Sequence, residues 1–271
     1  MSSELDIELR LLVEAIYAKY SHDFRDYSGA SLKRRVLHAM RQLECGTVSE
    51  LQSRVLHDPG VFQVLLEKLT IPFTEMFRDP EYWQALRRDV MPVLRTYPSL
   101  KIWIAGCSTG EEVFSLAILL HEEGLLERAI IYATDINPAA LEKARLGIFP
   151  VASVREHTGN YQEAGGTAAF SDYYRAAYES VRFDRELIRN VTFADHSLAT
   201  DSVFSETHFV SCRNVLIYFN RHLQNRATGL LHESLCRRGF LGLGTKETLD
   251  FTDYAERFEP VARRERIYRK R

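Results

Sequence analysis

Apolar residues recur at helical spacing along the first hundred positions. Leu9, Leu12, Val13, Ile16, Tyr17 and Tyr20 follow the i, i+3, i+4 rule of an amphipathic helix, and Leu32, Val36, Met40 and Leu43 give a second. Asp58-Pro59 and Asp79-Pro80 each read as an N-cap followed by proline at the first helical position. They open helices carrying Val61, Leu65 and Leu69, then Leu86, Val90 and Leu94. The pattern predicts a helical bundle, and an N-terminal helical domain over residues 1–85.

From Lys101 the spacing changes. An apolar run, Ile102 to Ala105, leads through Gly106-Cys107-Ser108-Thr109-Gly110 into a helical stretch from Glu111 to Glu122, and a second run, Ala129 to Thr134, ends at Asp135 before a helix opened by Pro138. Two strands that are apolar throughout, joined by a helix, predict a parallel sheet covered on both faces, here over residues 86–271. Residues 147–190 interrupt it with aromatic and polar pieces and the pair Gly165-Gly166, which predicts an inserted subdomain of short strands. The alternation resumes with strands at Val191–Ala194 and His208–Cys212, a helix over Arg221–Leu235, and strands at Gly239–Leu243 and Arg266–Lys270.

Composition narrows the function classes. Hydrophobic residues make up 45% and charged residues 27% of 271, enough apolar surface to fold the whole chain without a disordered linker. The longest apolar stretches, such as Val113 to Leu120, fall far short of the roughly 20 residues that span a bilayer, and the polar N-terminus has no signal-peptide core. A cytoplasmic protein without direct membrane insertion is expected. Cys45, Cys107, Cys212 and Cys236 are scattered, arguing against a zinc site or a disulfide framework. A net charge of −2 supplies no global field for nucleic acid, so any basic patch is local.

Nucleotide-like ligands bind parallel sheets at the carboxyl ends of the strands, where glycine lets backbone come close. Gly106 to Gly110 occupies such an end, and Asp135, closing the next strand, is placed to accept both hydroxyls of a ribose. The dinucleotide fingerprint's third glycine is missing, which disfavours a pyrophosphate. The turn also matches the G-x-S-x-G elbow of α/β-hydrolases. Against that rival, the turn follows the first strand of its sheet, leaving Ser108 without an oxyanion-hole loop, and the pair Glu111 and Glu112 opposes a developing oxyanion. The same acids suit a cationic sulfonium and an amine. Helix N-terminal charge for the glutamates, and an N-cap role for Asp135 ahead of Pro138, remain open as plainer readings.

Four blocks, Leu69–Arg78 (LTIPFTEMFR), Trp103–Ala117 (WIAGCSTGEEVFSLA), Ala133–Phe149 (ATDINPAALEKARLGIF) and Phe209–Phe219 (FVSCRNVLIYF), resemble in order and spacing those of the CheR family, which methylates glutamate side chains of bacterial chemoreceptors. The resemblance implies an α/β fold: a class I methyltransferase Rossmann-like doubly wound sheet, an N-terminal helical domain and a small inserted antiparallel β-subdomain. It implies S-adenosylmethionine as cofactor, leaving as S-adenosylhomocysteine. Cofactor contacts carried over are Thr74, Arg78, Gly106, Glu112 and Asp135, with Ser197 and Leu198 on the adenine side and Cys212, Arg213 and Asn214 beside the methionine part. Pro72 and Ser197 replace residues that are usually asparagine, Met76 a usual phenylalanine and Val113 a usual proline.

Methyl transfer to a carboxylate that is already an anion at neutral pH needs alignment and water exclusion more than a strong base. Arg78 and Tyr218 are the implied catalytic residues that orient the acceptor; by spacing alone they read as a helix-capping arginine and a core aromatic. Arg34, His38 and Arg41 form a helical stripe flanked by Lys33 and Arg35. The stripe reads equally as a solvated face or, by the resemblance, as a surface where Arg34 and Arg41 dock an acidic helix of a chemoreceptor's cytoplasmic region. Two rival classes stand beside this one. A nucleic-acid methyltransferase would carry an Asn/Asp-Pro-Pro-aromatic motif where Cys212-Arg213-Asn214-Val215 stands. A non-catalytic module that only senses the cofactor would bind without turnover.

Overall fold

A computed structural model describes residues 3–70 and 74–271. Four helices come first: α1 (Glu4–Tyr20), α2 (Gly29–Gln42), α3 (Val48–His57) and α4 (Pro59–Thr70). Helix α3 was not expected; it buries only Val48, Leu51 and Val55 on ten residues, a stripe too short to register as periodicity. Ser3 opens α1 with a reciprocal capping box to Asp6, and the Asp58 carboxylate accepts from Gly60 N at 2.8 Å at the head of α4. Leu12, Ile16, Val36, Leu51, Leu65 and Leu66 are fully buried in a core of their own that ends at Leu69.

Helix α5 (Pro80–Ala85) runs through a π turn (Leu86–Val90) into α6 (Met91–Leu94), and these pack in the core of the sheet. The break between the two cores falls between Leu69 and Met76, ahead of residue 85 where helix counting divides the chain. Asp79 has no capping bond to α5; its φ is +56° and its carboxylate turns to Arg213 instead.

The remaining elements are β1 (Leu100–Ala105), α7 (Glu111–Glu122), β2 (Ala129–Asp135), α8 (Pro138–Leu146), β3 (Ile148–Pro150), α9 (Val151–Glu163), β4 (Tyr174–Ala177), β5 (Ser180–Phe183), β6 (Val191–Asp195), β7 (Thr207–Cys212), α10 (Arg221–Ser234), β8 (Leu235–Leu243), β9 (Phe258–Ala262) and β10 (Ile267–Lys270). Seven strands form one sheet in the order β6-β2-β1-β7-β8-β10-β9. The first five are parallel and β10 and β9 antiparallel, with β9 an edge strand that its Pro260 and sparse apolar positions hid from the sequence. The chain leaves β1 toward β2 and β6, then crosses to β7 on the other side. That reversal opens a crevice at the carboxyl ends of β1 and β7, where such sheets take their ligands.

The insertion is a three-stranded antiparallel sheet, β3-β5-β4, but it also contains the 13-residue helix α9. Only His157 and Tyr161 of α9 are buried, so no apolar stripe announced it. Glu122 of α7 ties the insertion down, accepting from Tyr161 Oη at 2.5 Å, Thr167 N at 2.8 Å and Tyr173 Oη at 3.2 Å and pairing with Arg87. Among the described residues no helix is long and apolar enough to cross a membrane.

Candidate active site

A cavity at the switch point is lined from both layers of the molecule. Thr74, Arg78, Gly106, Ser108, Glu112, Asp135, Ser197, Leu198, Arg213, Asn214 and Tyr218 all face it, as do Tyr27 and Thr70 from the helical layer. The glycine turn makes the wall possible. Gly106 sits at φ +78°, where a Cβ would lie 2.4 Å from Val215 Cγ2, and Gly110 at φ +100°, where a Cβ would lie 2.9 Å from Ala144 Cα.

Asp135 hangs across the turn. Its Oδ2 accepts from Ser108 N at 2.8 Å and its Oδ1 from Asn137 N at 2.9 Å, so each oxygen is fixed yet keeps a lone pair for a further donor. Burial pushes this carboxyl above its ordinary range, against the pull of those two amides. The plainer reading of Asp135 as the cap of α8 does not hold, because Asn137 caps it, accepting from Ala139 N at 3.0 Å and Ala140 N at 3.4 Å.

Glu112 accepts from Ser211 Oγ at 2.6 Å and faces Arg213 Nη1 at 3.3 Å. The Arg213 side chain is 1% exposed and also donates to Asp79 Oδ2 at 2.7 Å and to the Arg78 carbonyl at 3.0 Å, with its guanidinium 4.0 Å over the Tyr82 ring. Burial opposes its charge, but Glu112, Tyr82 and Asp79 outweigh that and raise its pKa. Arg213 is therefore a buried tie that braces Glu112 and the backbone of Arg78.

Glu111 does not share this role. It turns to the Thr109 hydroxyl at 2.6 Å, and burial pushes its carboxyl up to about 7, so the two glutamates are not a matched anionic pair. Cys212, the last residue of β7, is fully buried in the core and is not among the residues lining the cavity, its thiol pushed up by burial. Ser197 lines the cavity, but its Oγ accepts from Ala199 N at 3.2 Å within its own turn. Pro72 lies outside the described residues.

The helical layer closes the cavity. Ser28 N donates to the Tyr218 carbonyl at 2.8 Å, Asn220 N to the Asp26 carbonyl at 2.8 Å, and Asn220 Nδ2 to Asp26 Oδ1 at 2.8 Å. Tyr27 stacks edge-on against Phe219 with centroids 5.1 Å apart. Arg34, His38 and Arg41 are exposed on α2, but Arg35 is only 4% exposed. Its guanidinium lies 4.0 Å over the Tyr218 ring and donates to the Leu69 carbonyl, and among the described residues Nε and Nη2 meet no hydrogen-bond acceptor. Tyr27 was not expected on the cavity, nor Arg35 behind Tyr218. A signal for Arg35 existed, since it stands three residues after Leu32 and beside Val36 on the apolar face.

Ser108 Oγ is buried with no hydrogen-bond partner among the described residues, so no base takes its proton and the hydrolase reading lacks its nucleophile. The same orphan hydroxyl on the cavity wall marks a place where a ligand completes the bonding. The lining fits S-adenosylmethionine: Asp135 for ribose hydroxyls, Glu112 for the cationic methionine end, and Ile136 and Leu198 for the flat apolar faces of a purine.

The family model described as the SAM binding domain of CheR methyltransferase matches residues 72–266, and that described as its all-alpha domain matches residues 7–70. A Pseudomonas putida protein named "Putative methyltransferase Cher3" is 66% identical over 272 residues, covering 100% of both chains. A "Chemotaxis protein methyltransferase" of Listeria monocytogenes is 31% identical over 241 residues, covering 86% of this chain and 87% of that one. The "Probable biofilm formation methyltransferase WspC" of Pseudomonas aeruginosa is 29% identical over 233 residues, 83% of this chain and 53% of that protein.

Proposed function

From the premise that the chain belongs to the CheR methyltransferases, with S-adenosylmethionine as cofactor, we propose that it methylates glutamate side-chain carboxylates on the cytoplasmic helical region of a chemoreceptor or related signalling protein. The observation that carries this is the meeting, on one cavity, of Asp135 and Glu112 with Arg78 and Tyr218. When bound, the cofactor supplies an electrophilic methyl group on a sulfonium.

Asp135 holds the ribose end and Glu112, braced by Ser211 and Arg213, the cationic end. Arg78 offers a cation for an anionic acceptor, and Tyr218, its ring under Arg35, limits how that acceptor can turn. The acceptor is an anion near neutral pH, so these residues align rather than deprotonate it. The clasp of Asp26–Ser28 on Tyr218–Asn220 keeps water out of the junction. The exposed Arg34, His38 and Arg41 on α2 suit an acidic helix as docking partner. A site in the cytoplasm follows from such a partner. The name of the Listeria relative supports a chemotaxis role.

Calorimetry with S-adenosylmethionine and S-adenosylhomocysteine, followed by radiolabelled methyl transfer to receptor cytoplasmic fragments, tests the proposal. Base-labile label on glutamate is expected. Cofactor binding without turnover on any fragment would favour the sensing module, for which Ser197, with its hydroxyl occupied in its own turn, is the supporting observation.

A further inference from the structure

Tyr218 ends a single 3-10 turn, Leu216–Tyr218, that follows Asn214 at φ +61°. One isolated turn has little stability of its own, and its leading N–H groups have no partners inside it. Here they are served by a residue from a distant loop. Glu247 Oε2 accepts from Asn214 N at 2.9 Å and from Gly244 N at 2.6 Å, while Oε1 accepts from Ile217 N at 3.3 Å.

Glu247 is 3% exposed and does not line the cavity. A buried carboxyl without an ion pair is costly, and no salt bridge to Glu247 occurs among the described residues. What offsets the cost is backbone: Gly244, the first residue after β8, packs so closely that a Cβ would lie 2.8 Å from Glu247 Oε2 and 2.7 Å from Asn214 Nδ2. Two loops at adjacent strand ends, after β7 and β8, are thereby latched through one side chain.

We propose that Glu247 is a positioning residue for methyl transfer, its carboxylate capping the Asn214–Tyr218 turn from outside so that Tyr218 keeps its place between Arg35 and the cavity. This rests on the reading that Tyr218 faces the acceptor. A glutamine at 247 has one acceptor oxygen for three N–H groups and sets an amide N–H against the others, so the turn loosens while the volume is kept.

The test uses the full chain with 3-fluorotyrosine at position 218, S-adenosylhomocysteine as binding probe, and a methyl-accepting receptor fragment. Glu247→Gln is expected to lower kcat by about tenfold or more, to leave KM and S-adenosylhomocysteine affinity within about threefold, and to shift or broaden the fluorine resonance. Gly244→Ala, which keeps the carboxylate but crowds the latch, should reproduce the pattern, and it carries the test alone should Glu247→Gln fail to fold. A folded variant with unchanged kcat and an unchanged fluorine signal overturns the inference, as does a loss confined to cofactor affinity. Should Tyr218→Phe itself leave kcat unaltered, the catalytic reading of Tyr218 fails, while the fluorine signal still decides whether Glu247 holds the turn.

Discussion

The two walls of the cavity are made in different ways. The glycine-turn wall is local: Gly106 N and Cys107 N donate to the Thr134 carbonyl at 2.8 and 2.9 Å, Ser108 N reaches Asp135, and all of it lies at the ends of paired strands β1 and β2. The opposite wall collects Tyr27, Arg78 and Tyr218 from segments far apart in sequence, joined by the Asp26–Asn220 clasp and backed by Arg35, buried over the Tyr218 ring. A wall of the first kind forms whenever its strands pair. The second exists only once the helical layer has docked, which suits it to aligning an acceptor that arrives with a partner.

That contrast breaks most sharply at Asp135. Asp135→Ala should weaken S-adenosylhomocysteine binding by about 100-fold or more, roughly 2.7 kcal/mol, in calorimetry. A change under about threefold would move the ribose elsewhere. On the other wall Tyr218→Phe should lower kcat by about tenfold with cofactor affinity almost untouched; equal losses in both would erase the division of labour.

Farther out, reversing charge with Arg34→Glu and Arg41→Glu should raise KM for a receptor fragment by about fivefold at low salt and less at high salt, because both side chains are exposed and screened. Unchanged kinetics in the double variant would remove the docking surface.

The smallest effect belongs to Glu111. Its carboxyl is pushed up to about 7 from an ordinary 4.5, so the folded chain holds the proton that the unfolded chain has released between those values. Stability from this group is full below about 4.5 and declines as pH rises toward about 7. Glu111→Gln should flatten the melting temperature across that window, with little change at pH 4; an unaltered slope would assign the titration to another group.

By itself the sequence determined the layer order. Stripes at helical spacing marked three of the first four helices, and apolar runs ending in Gly106 and Asp135 marked the switch-point strands, because burial on one or both faces imprints a period that neighbours in sequence must share. Where burial is sparse that imprint fades: α3, α9 and the edge strand β9 each bury too few residues to announce themselves.

Only the tertiary structure decided the partners of charged groups. Asp79 could cap a helix or meet Arg213, Arg35 could join a surface stripe or stack under the layer at Tyr218, and Glu247 carried no local sign of the turn it holds. Such choices depend on which residue from far along the chain arrives within contact distance, and contacts of that reach leave no periodicity along the chain.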